Sequence, residues 1–275
     1  FTGVTEYHNV QEETDDIETL ILEDGSRIEM TAKEWKEFFI ENDLCMSANG
    51  TVFQTDKQGI IPYCLEKWYN ERVEFKKNSK EFDKKGDKEK SKYWDRIQMV
   101  RKIFLNSTYG ALLNRFFRFF DLRFGQSTTL SGRVVTKHMI KEANRLAVGD
   151  YDFSQYTVYG DTDSSYFSIA CLINDTMSDE DIIKLADELG KKINDSFPQK
   201  MKDMFLVSLE QGAIIQAGRE VVAKKGIFKD KTKKRYALYV IDDEGKKVSK
   251  LKIMGMETQR SDTPKFIQEF LKDCI

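Results

Sequence analysis

Apolar and polar positions alternate along this 275-residue chain with two distinct periods. Helical spacing predicts a helix over Pro62–Asp83 and a second over Ser91–Asn114, with Pro62 suited to a first helical turn. Between them Lys76–Lys92 (KKNSKEFDKKGDKEKSK) is poor in apolar residues and holds Gly86, so it reads as the solvated tip joining the pair. The same spacing predicts helices over Ser131–Ala147 and Asp179–Phe197, the latter opened by Ser178 with Asp181 three positions on, close to a capping box. A last helical run covers Pro264–Ile275. Short β-rich runs at Thr51–Gln54, Tyr156–Tyr159, Ser165–Ile169, Val207–Gln211 and Tyr236–Ile241 read as strands. Strands and helices mix without regular βαβ alternation, which predicts an α+β fold carrying a helical insertion.

Composition narrows the class. Hydrophobic content of 40% and aromatic content of 12% exclude intrinsic disorder. No run approaches 18 consecutive apolar residues, so no membrane span is expected, and no signal segment opens the chain. Cys45, Cys64, Cys171 and Cys274 form no C-x-x-C pair and have only His8 and His138 beside them. A structural zinc site is therefore not expected, and a reducing cytoplasm fits best. The net charge of −2 hides an asymmetry. Residues 1–57 carry 14 acids and 4 bases, residues 67–102 carry 13 bases and 7 acids, and residues 219–252 carry 12 bases and 5 acids. Two local anion-binding surfaces in an acidic chain account for this pattern; solvated helix faces account for it equally well on charge alone.

Two stretches carry candidate chemistry. In Tyr156-Thr-Val-Tyr-Gly-Asp-Thr-Asp-Ser-Ser-Tyr-Phe-Ser-Ile169, two β-rich runs flank Gly160-Asp161-Thr162-Asp163, which is hairpin chemistry. Strand alternation would put Asp161 and Asp163 on one side of the chain, and adjacent carboxylates repel unless a cation relieves them. Oxygen ligands at a turn suit Mg²⁺, although Asp and Gly are also what an ordinary turn uses. In the helix Arg101–Ala111, Lys102, Asn106 and Tyr109 fall on one face and end at Gly110, while Val100, Phe104 and Ala111 lie on the other, where a core would take them. Arg72 and Lys76, four apart on the preceding helix, stack likewise. Two antiparallel helices would then aim Arg72, Lys76 and Lys102 at one polyphosphate.

Together these stretches resemble family B DNA polymerases. Lys102-x-x-x-Asn106-Ser107-x-Tyr109-Gly110 is similar to their motif B, and Tyr159-Gly160-Asp161-Thr162-Asp163-Ser164 to their motif C, in the family's order and spacing. Lys233-Lys234-Arg235-Tyr236 resembles the basic motif that follows, and Trp68–Lys76 and Leu251–Gln259 resemble the T-even-type bacteriophage replicative enzymes. The resemblance implies palm over residues 1–58 and 115–257, helical fingers over 59–114, and the start of a thumb over 258–275. It implies that Asp163, Asp161 and Glu220 hold two Mg²⁺ ions. Arg72, Lys76, Lys102 and Asn106 would bind the dNTP, with Tyr109 and Gly110 on the nascent base pair and Lys233, Lys234 and Tyr236 on the primer–template. Further implied partners are an upstream segment carrying motif A and an exonuclease domain, a sliding clamp and a single-strand binding protein.

There are departures. No D-x-x-S-L-Y-P-S-like motif A run occurs in the 275 residues, and family order places it before Phe1. The start at Phe1 and the stop inside a helical run read as a piece cut at both ends, expected to be inactive alone. The stretch from Glu220 to Lys233 is shorter than in the phage enzymes. The alternative is a non-catalytic nucleic-acid-binding segment of a split or decayed polymerase.

Overall fold

A computed structural model describes residues 17–21, 25–149, 156–174, 176–230 and 232–274. In chain order the elements are β1 (Ile17–Ile21), β2 (Arg27–Thr31), α1 (Ala32–Glu41), β3 (Leu44–Met46), β4 (Val52–Gln54), α2 (Ile60–Lys84), α3 (Lys88–Leu112) and α4 (Leu122–Val148). They continue with β5 (Thr157–Asp161), β6 (Ser164–Phe167), α5 (Asp179–Phe205), α6 (Leu209–Gly212), β7 (Val221–Phe228), β8 (Tyr236–Asp243), β9 (Lys246–Met254) and α7 (Lys265–Cys274). Among the described residues every sheet is small and antiparallel: three hairpins, β1–β2, β3–β4 and β5–β6, and one meander, β7–β8–β9. There helix and sheet are mixed without parallel pairing, as an α+β class requires. The chain divides into two compact units, Phe1–Ser131 with Asp203–Val207, and Gly132–Lys202 with Ser208–Ile275.

In the first unit a small core forms around α1. Thr31 caps it in a reciprocal box, accepting from the Glu34 N–H at 3.3 Å while its own N–H donates to Glu34 Oε2 at 2.7 Å. Trp35 and Phe39, one turn apart, are buried against Leu44, Met46 and Val52 of the β3–β4 hairpin. The loop of that hairpin is tied to α4 through Ser47, Asn49 and Ser127, whose hydroxyls and amide meet at 2.6–3.0 Å.

The long helices α2 and α3 form an antiparallel hairpin whose turn is only Lys85–Asp87. The expected solvated linker over Lys76–Lys92 is therefore largely helical. Asp87 accepts the Lys90 N–H at 3.0 Å and starts α3 at once, and the Phe82 ring carries the ammonium groups of Lys85 and Lys90 at 5.6 and 5.4 Å. The seam uses the apolar face expected from the sequence only in part. Val100 stays 44% exposed, whereas Phe104, 43% exposed, packs on Trp68. Trp68 meets Phe104 and Phe75 meets Trp94 at ring-centroid distances of 5.5 and 5.4 Å. Between these pairs Glu71 pairs with Arg101, and at the far end the Ser79 hydroxyl donates to the Ser91 carbonyl at 3.0 Å. Contacts recurring at 3–4 spacing define a coiled-coil-like seam in which aromatic rings alternate with polar pairs.

The second unit is built on α5 and the meander. Leu189, Ile193, Phe197 and Met201 bury one stripe of α5 at a spacing of four. Ser178 and Asp181 form the expected cap, the Asp181 N–H donating to Ser178 Oγ at 3.3 Å. The helix runs through Pro198 to Phe205, past the predicted end at Phe197, because Phe197 and Met201 are both buried and hold the turns on either side. The predicted strand Val207–Gln211 is instead the short helix α6. Ser208 and Gln211 close a second capping box there, which outweighs the β-branched start of the segment. Arg219 bridges Asp187 of α5 and the buried Asp242 of β8. Asp242 Oδ1 also accepts the Gly245 N–H at 2.9 Å, closing the β8–β9 turn.

His138 of α4 bonds Ser196 Oγ at 2.9 Å and lies edge-on to Phe197 with centroids 5.8 Å apart. Burial, helped by the charges of Lys200 and Lys141 against that of Glu142, holds its pKa below the usual 6.5. The unfolded chain therefore binds this proton more readily, and stability falls as pH drops below about 6.5, above the range where carboxylates titrate. His138→Gln should flatten the pH dependence of the melting temperature between about pH 7 and 5.5. An unchanged slope would contradict the assignment.

Candidate active site

The β5–β6 hairpin presents the paired aspartates. Asp161 ends β5 and pairs with Ser164, so Thr162 and Asp163 form a two-residue turn. Strand alternation does not place the two carboxylates, because Asp163 has left the strand and sits in the turn. Thr162 sits at φ +40°, an uncommon conformation for a β-branched residue that costs on the order of 1–3 kcal/mol. Its carbonyl accepts the Thr136 hydroxyl of α4 at 3.2 Å, which helps hold the turn. At the other end of the strand, Thr157 Oγ1 donates to the buried Asn144 at 3.2 Å.

Four aromatic rings fasten this hairpin to the meander. Tyr159 and Tyr166, paired across β5 and β6, pack on Phe228 of β7 and Tyr236 of β8 with ring centroids 5.3–6.2 Å apart. Tyr166 OH donates to Tyr236 OH at 3.3 Å. Burial, followed by that hydrogen bond, pushes the Tyr166 hydroxyl well above its ordinary pKa. Tyr236, assigned to the primer–template by the resemblance, is only 8% exposed and packs within this cluster.

The loop from β7 to β8 returns to the aspartates. Lys234 has a left-handed backbone, φ +59°, and its N–H donates to Tyr159 OH at 2.7 Å. Its ammonium lies 3.6 Å from Asp161 Oδ2. Gly255, at φ +58°, makes this possible: a Cβ there would fall 2.1 Å from the Lys234 carbonyl oxygen. Lys233 is exposed beside it. Glu220 immediately precedes β7, and its charge is felt at the Tyr166 hydroxyl of the ring cluster. Among the described residues no three His, Cys, Asp or Glu side chains gather as a metal site. Asp161 and Asp163 alone fit a hard cation that takes one or two carboxylates and completes its shell from substrate, and the Lys234 ammonium already occupies the position of a cation at Asp161.

The hairpin of α2 and α3 presents the other candidates. Against the 3–4 seam, Arg72 and Lys76 of α2 and Lys102, Asn106 and Tyr109 of α3 fall on the same-handed flank of each helix. In an antiparallel pair those flanks share one face, and the bond from Arg72 Nε to Gln98 Oε1, 3.4 Å, crosses the seam on that face. Arg72 and Lys76, one turn apart on α2, thus share one side of the hairpin with Lys102. Lys102 and Asn106 are exposed and Tyr109 is half-buried. A Cβ on Gly110 would meet no atom within 4 Å, so the protein itself does not require glycine there.

The model of DNA polymerase family B matches residues 7–275. The chain belongs to DNA polymerase family B. It is 35% identical over 194 residues to the DNA-directed DNA polymerase of Escherichia phage RB69, covering 65% of this chain and 22% of that one. Identity to the DNA-directed DNA polymerase of Enterobacteria phage T4 is also 35%, over 204 residues with the same shares. The DNA polymerase delta catalytic subunit of Oryza sativa subsp. japonica is 27% identical over 224 residues, 80% of this chain and 18% of that one. The chain spans about a fifth of the length of the phage relatives.

In this family B chain, sequence reasoning missed the supports. Tyr159 and Tyr166 are readable as same-face residues of a hairpin, but Phe228, Thr136 and Gly255 reach the site only through tertiary packing. The two glycines test this distinction. Gly110→Ala should leave the melting temperature unchanged or raise it, since Ala is favoured over Gly in a helix by about 1 kcal/mol. Gly255→Ala should lower it by several degrees, because both its φ and its contact with Lys234 are incompatible with a Cβ. Equal effects of the two substitutions would refute the reading.

Proposed function

We propose that this chain is the fingers and the C-terminal palm of a template-directed DNA polymerase, α2 and α3 being the fingers and β5–β9 the palm surface. It would serve the addition of dNMP from a dNTP to a primer 3′-hydroxyl on a DNA template. The match over residues 7–275 carries this reading, since it spans all three ordered motifs. Divalent ions bound at the hairpin would supply Lewis-acid activation of the primer hydroxyl and charge stabilisation for the leaving pyrophosphate. The chain's own residues do the rest. Asp161 and Asp163 hold the cation by carboxylate oxygens. Arg72, Lys76 and Lys102 hold the triphosphate through charge-assisted hydrogen bonds, and Asn106 supports it. Tyr109 presents a ring edge to the nascent pair, and the missing side chain at Gly110 leaves room for it. Lys233 and Lys234 hold backbone phosphates without reading sequence, as a copying enzyme requires.

In the complete enzyme, Asp163→Ala should abolish nucleotide incorporation with primer–template affinity nearly unchanged, Asp161→Ala being milder, because the carboxylate acts on the transition state more than on DNA binding. A parallel loss of DNA binding in Asp163→Ala would contradict this. Arg72→Ala, Lys76→Ala and Lys102→Ala should each weaken dNTP use by roughly 10- to 150-fold, the worth of one charge-assisted contact. Pre-steady-state incorporation gives both affinity and rate, and Lys102→Ala should also slow the chemical step. Normal values in all three would defeat the triphosphate assignment.

The 275 residues hold no motif A run, so they supply only two hairpin carboxylates to the metals. Misplacement of a reacting group by ~1 Å already costs about 100-fold. The isolated chain should therefore extend no primer on a gel at any Mg²⁺ concentration, while binding primer–template weakly and with strong salt dependence. Robust extension by the chain alone would overturn this.

A further inference from the structure

The loop between β7 and β8 carries several cations, and their partners differ. Lys229 and Arg235 both pair with Glu257, at 3.6 and 2.8 Å. The Lys229 N–H donates to the Arg235 carbonyl at 3.0 Å, which closes the base of the loop. Among the described residues of the loop, Lys234 alone turns to Asp161. Its backbone is fixed by the Tyr159 hydroxyl and by close approach to Gly255. Its side chain is 69% exposed, against 20% for Asp161. The anchor is rigid and the ammonium is movable. A lysine ammonium is a compact charge on a flexible stem, suited to exchanging one anion for another.

We propose that Lys234 is a counter-cation of Asp161 that primer–template phosphate draws away, so that DNA binding and divalent-metal binding at the hairpin favour each other. This rests on the reading of Asp161 and Asp163 as metal-holding and of Lys234 as a phosphate contact. Without DNA, the ammonium neutralises Asp161, and an incoming divalent cation must displace it or bear its repulsion. A DNA phosphate beside the loop offers the ammonium a second anion and frees the carboxylate. Linkage makes the effect reciprocal: whatever factor DNA contributes to metal affinity, metal contributes to DNA affinity. No proton transfer or conformational change of the backbone is involved. An exposed ion pair sets the size of the coupling at roughly 1.5- to 5-fold in dissociation constant.

The test is Mn²⁺ binding to the full chain, read from the electron paramagnetic resonance signal of the free ion, with and without a primer–template duplex. In the unmodified chain the duplex should tighten Mn²⁺ binding by roughly 1.5- to 5-fold. Lys234→Met should bind Mn²⁺ more tightly in the absence of DNA and lose most of the DNA effect. Lys234→Gly, which accepts the left-handed backbone without strain, should behave the same and separates loss of charge from misfolding. Lys234→Arg should retain the coupling. Lys246→Met, which removes an exposed lysine where β9 begins, should change neither quantity. Unaltered Mn²⁺ affinity in both Lys234→Met and Lys234→Gly, or undiminished coupling in them, would overturn the proposal. Unaltered Mn²⁺ binding in Asp161→Asn and Asp163→Asn would instead overturn the metal assignment beneath it.

Discussion

The candidate active site depends on one packing interaction, the four-ring cluster of Tyr159, Tyr166, Phe228 and Tyr236. A two-stranded hairpin is marginal in water by itself, and this one carries two carboxylates and a strained threonine at its turn. The rings supply the buried area that makes the hairpin part of a larger core, joined to Leu238 and Val240 of the central meander strand. They also set direction. The Tyr159 hydroxyl, at the polar tip of an otherwise packed ring, accepts the Lys234 N–H, so one residue fastens the hairpin and positions the basic loop above it. Gly255 completes the arrangement by letting two backbones approach within a distance that no side chain permits.

A different balance governs the helical hairpin. No residue of α2 is buried, and of α3 only Gln98 and Leu112 are. Its seam alternates aromatic pairs with polar ones, Glu71 with Arg101 and Ser79 with Ser91. Polar pairs fix register at some cost in stability, whereas a continuous apolar seam would permit the helices to slide by a turn. Register matters because it sets which cations of α2 stand level with the Lys102–Tyr109 stripe of α3. The two candidate subsites thus follow opposite strategies: a small dense core under the carboxylates, and a long half-solvated pair under the cations.

The meander is held to α5 by charge as well as by packing. Arg219 between Asp187 and the buried Asp242 is the most enclosed element of that attachment, and Asp242 is itself held by the Gly245 N–H. Lys224 with Asp179 and Lys247 with Glu180 are exposed and add little.

Local chemistry made much of this chain legible in advance. The helices over residues 60–84 and 88–112, the cap at Ser178, the strand at Tyr236 and the Gly160–Ser164 turn are all determined by nearest neighbours, through propensity, capping and turn residues. The candidate residues were legible for the same reason: Lys102, Asn106, Tyr109, Asp161 and Asp163 lie in short runs whose order and spacing mark the family. What only the tertiary structure decided concerns which groups face one another. Helical spacing gave α3 two amphipathic faces, and the aromatic–polar register with α2 used only part of the apolar one, packing Phe104 on Trp68 and leaving Val100 44% exposed. Tyr236 belonged to a basic motif yet is buried in the ring cluster at the start of β8, while Lys234, before the strand and left-handed, is exposed. Contacts between residues 20 or 70 positions apart have no local signature, so Gly255 against Lys234 and Tyr159 under Lys234 are decided by packing alone.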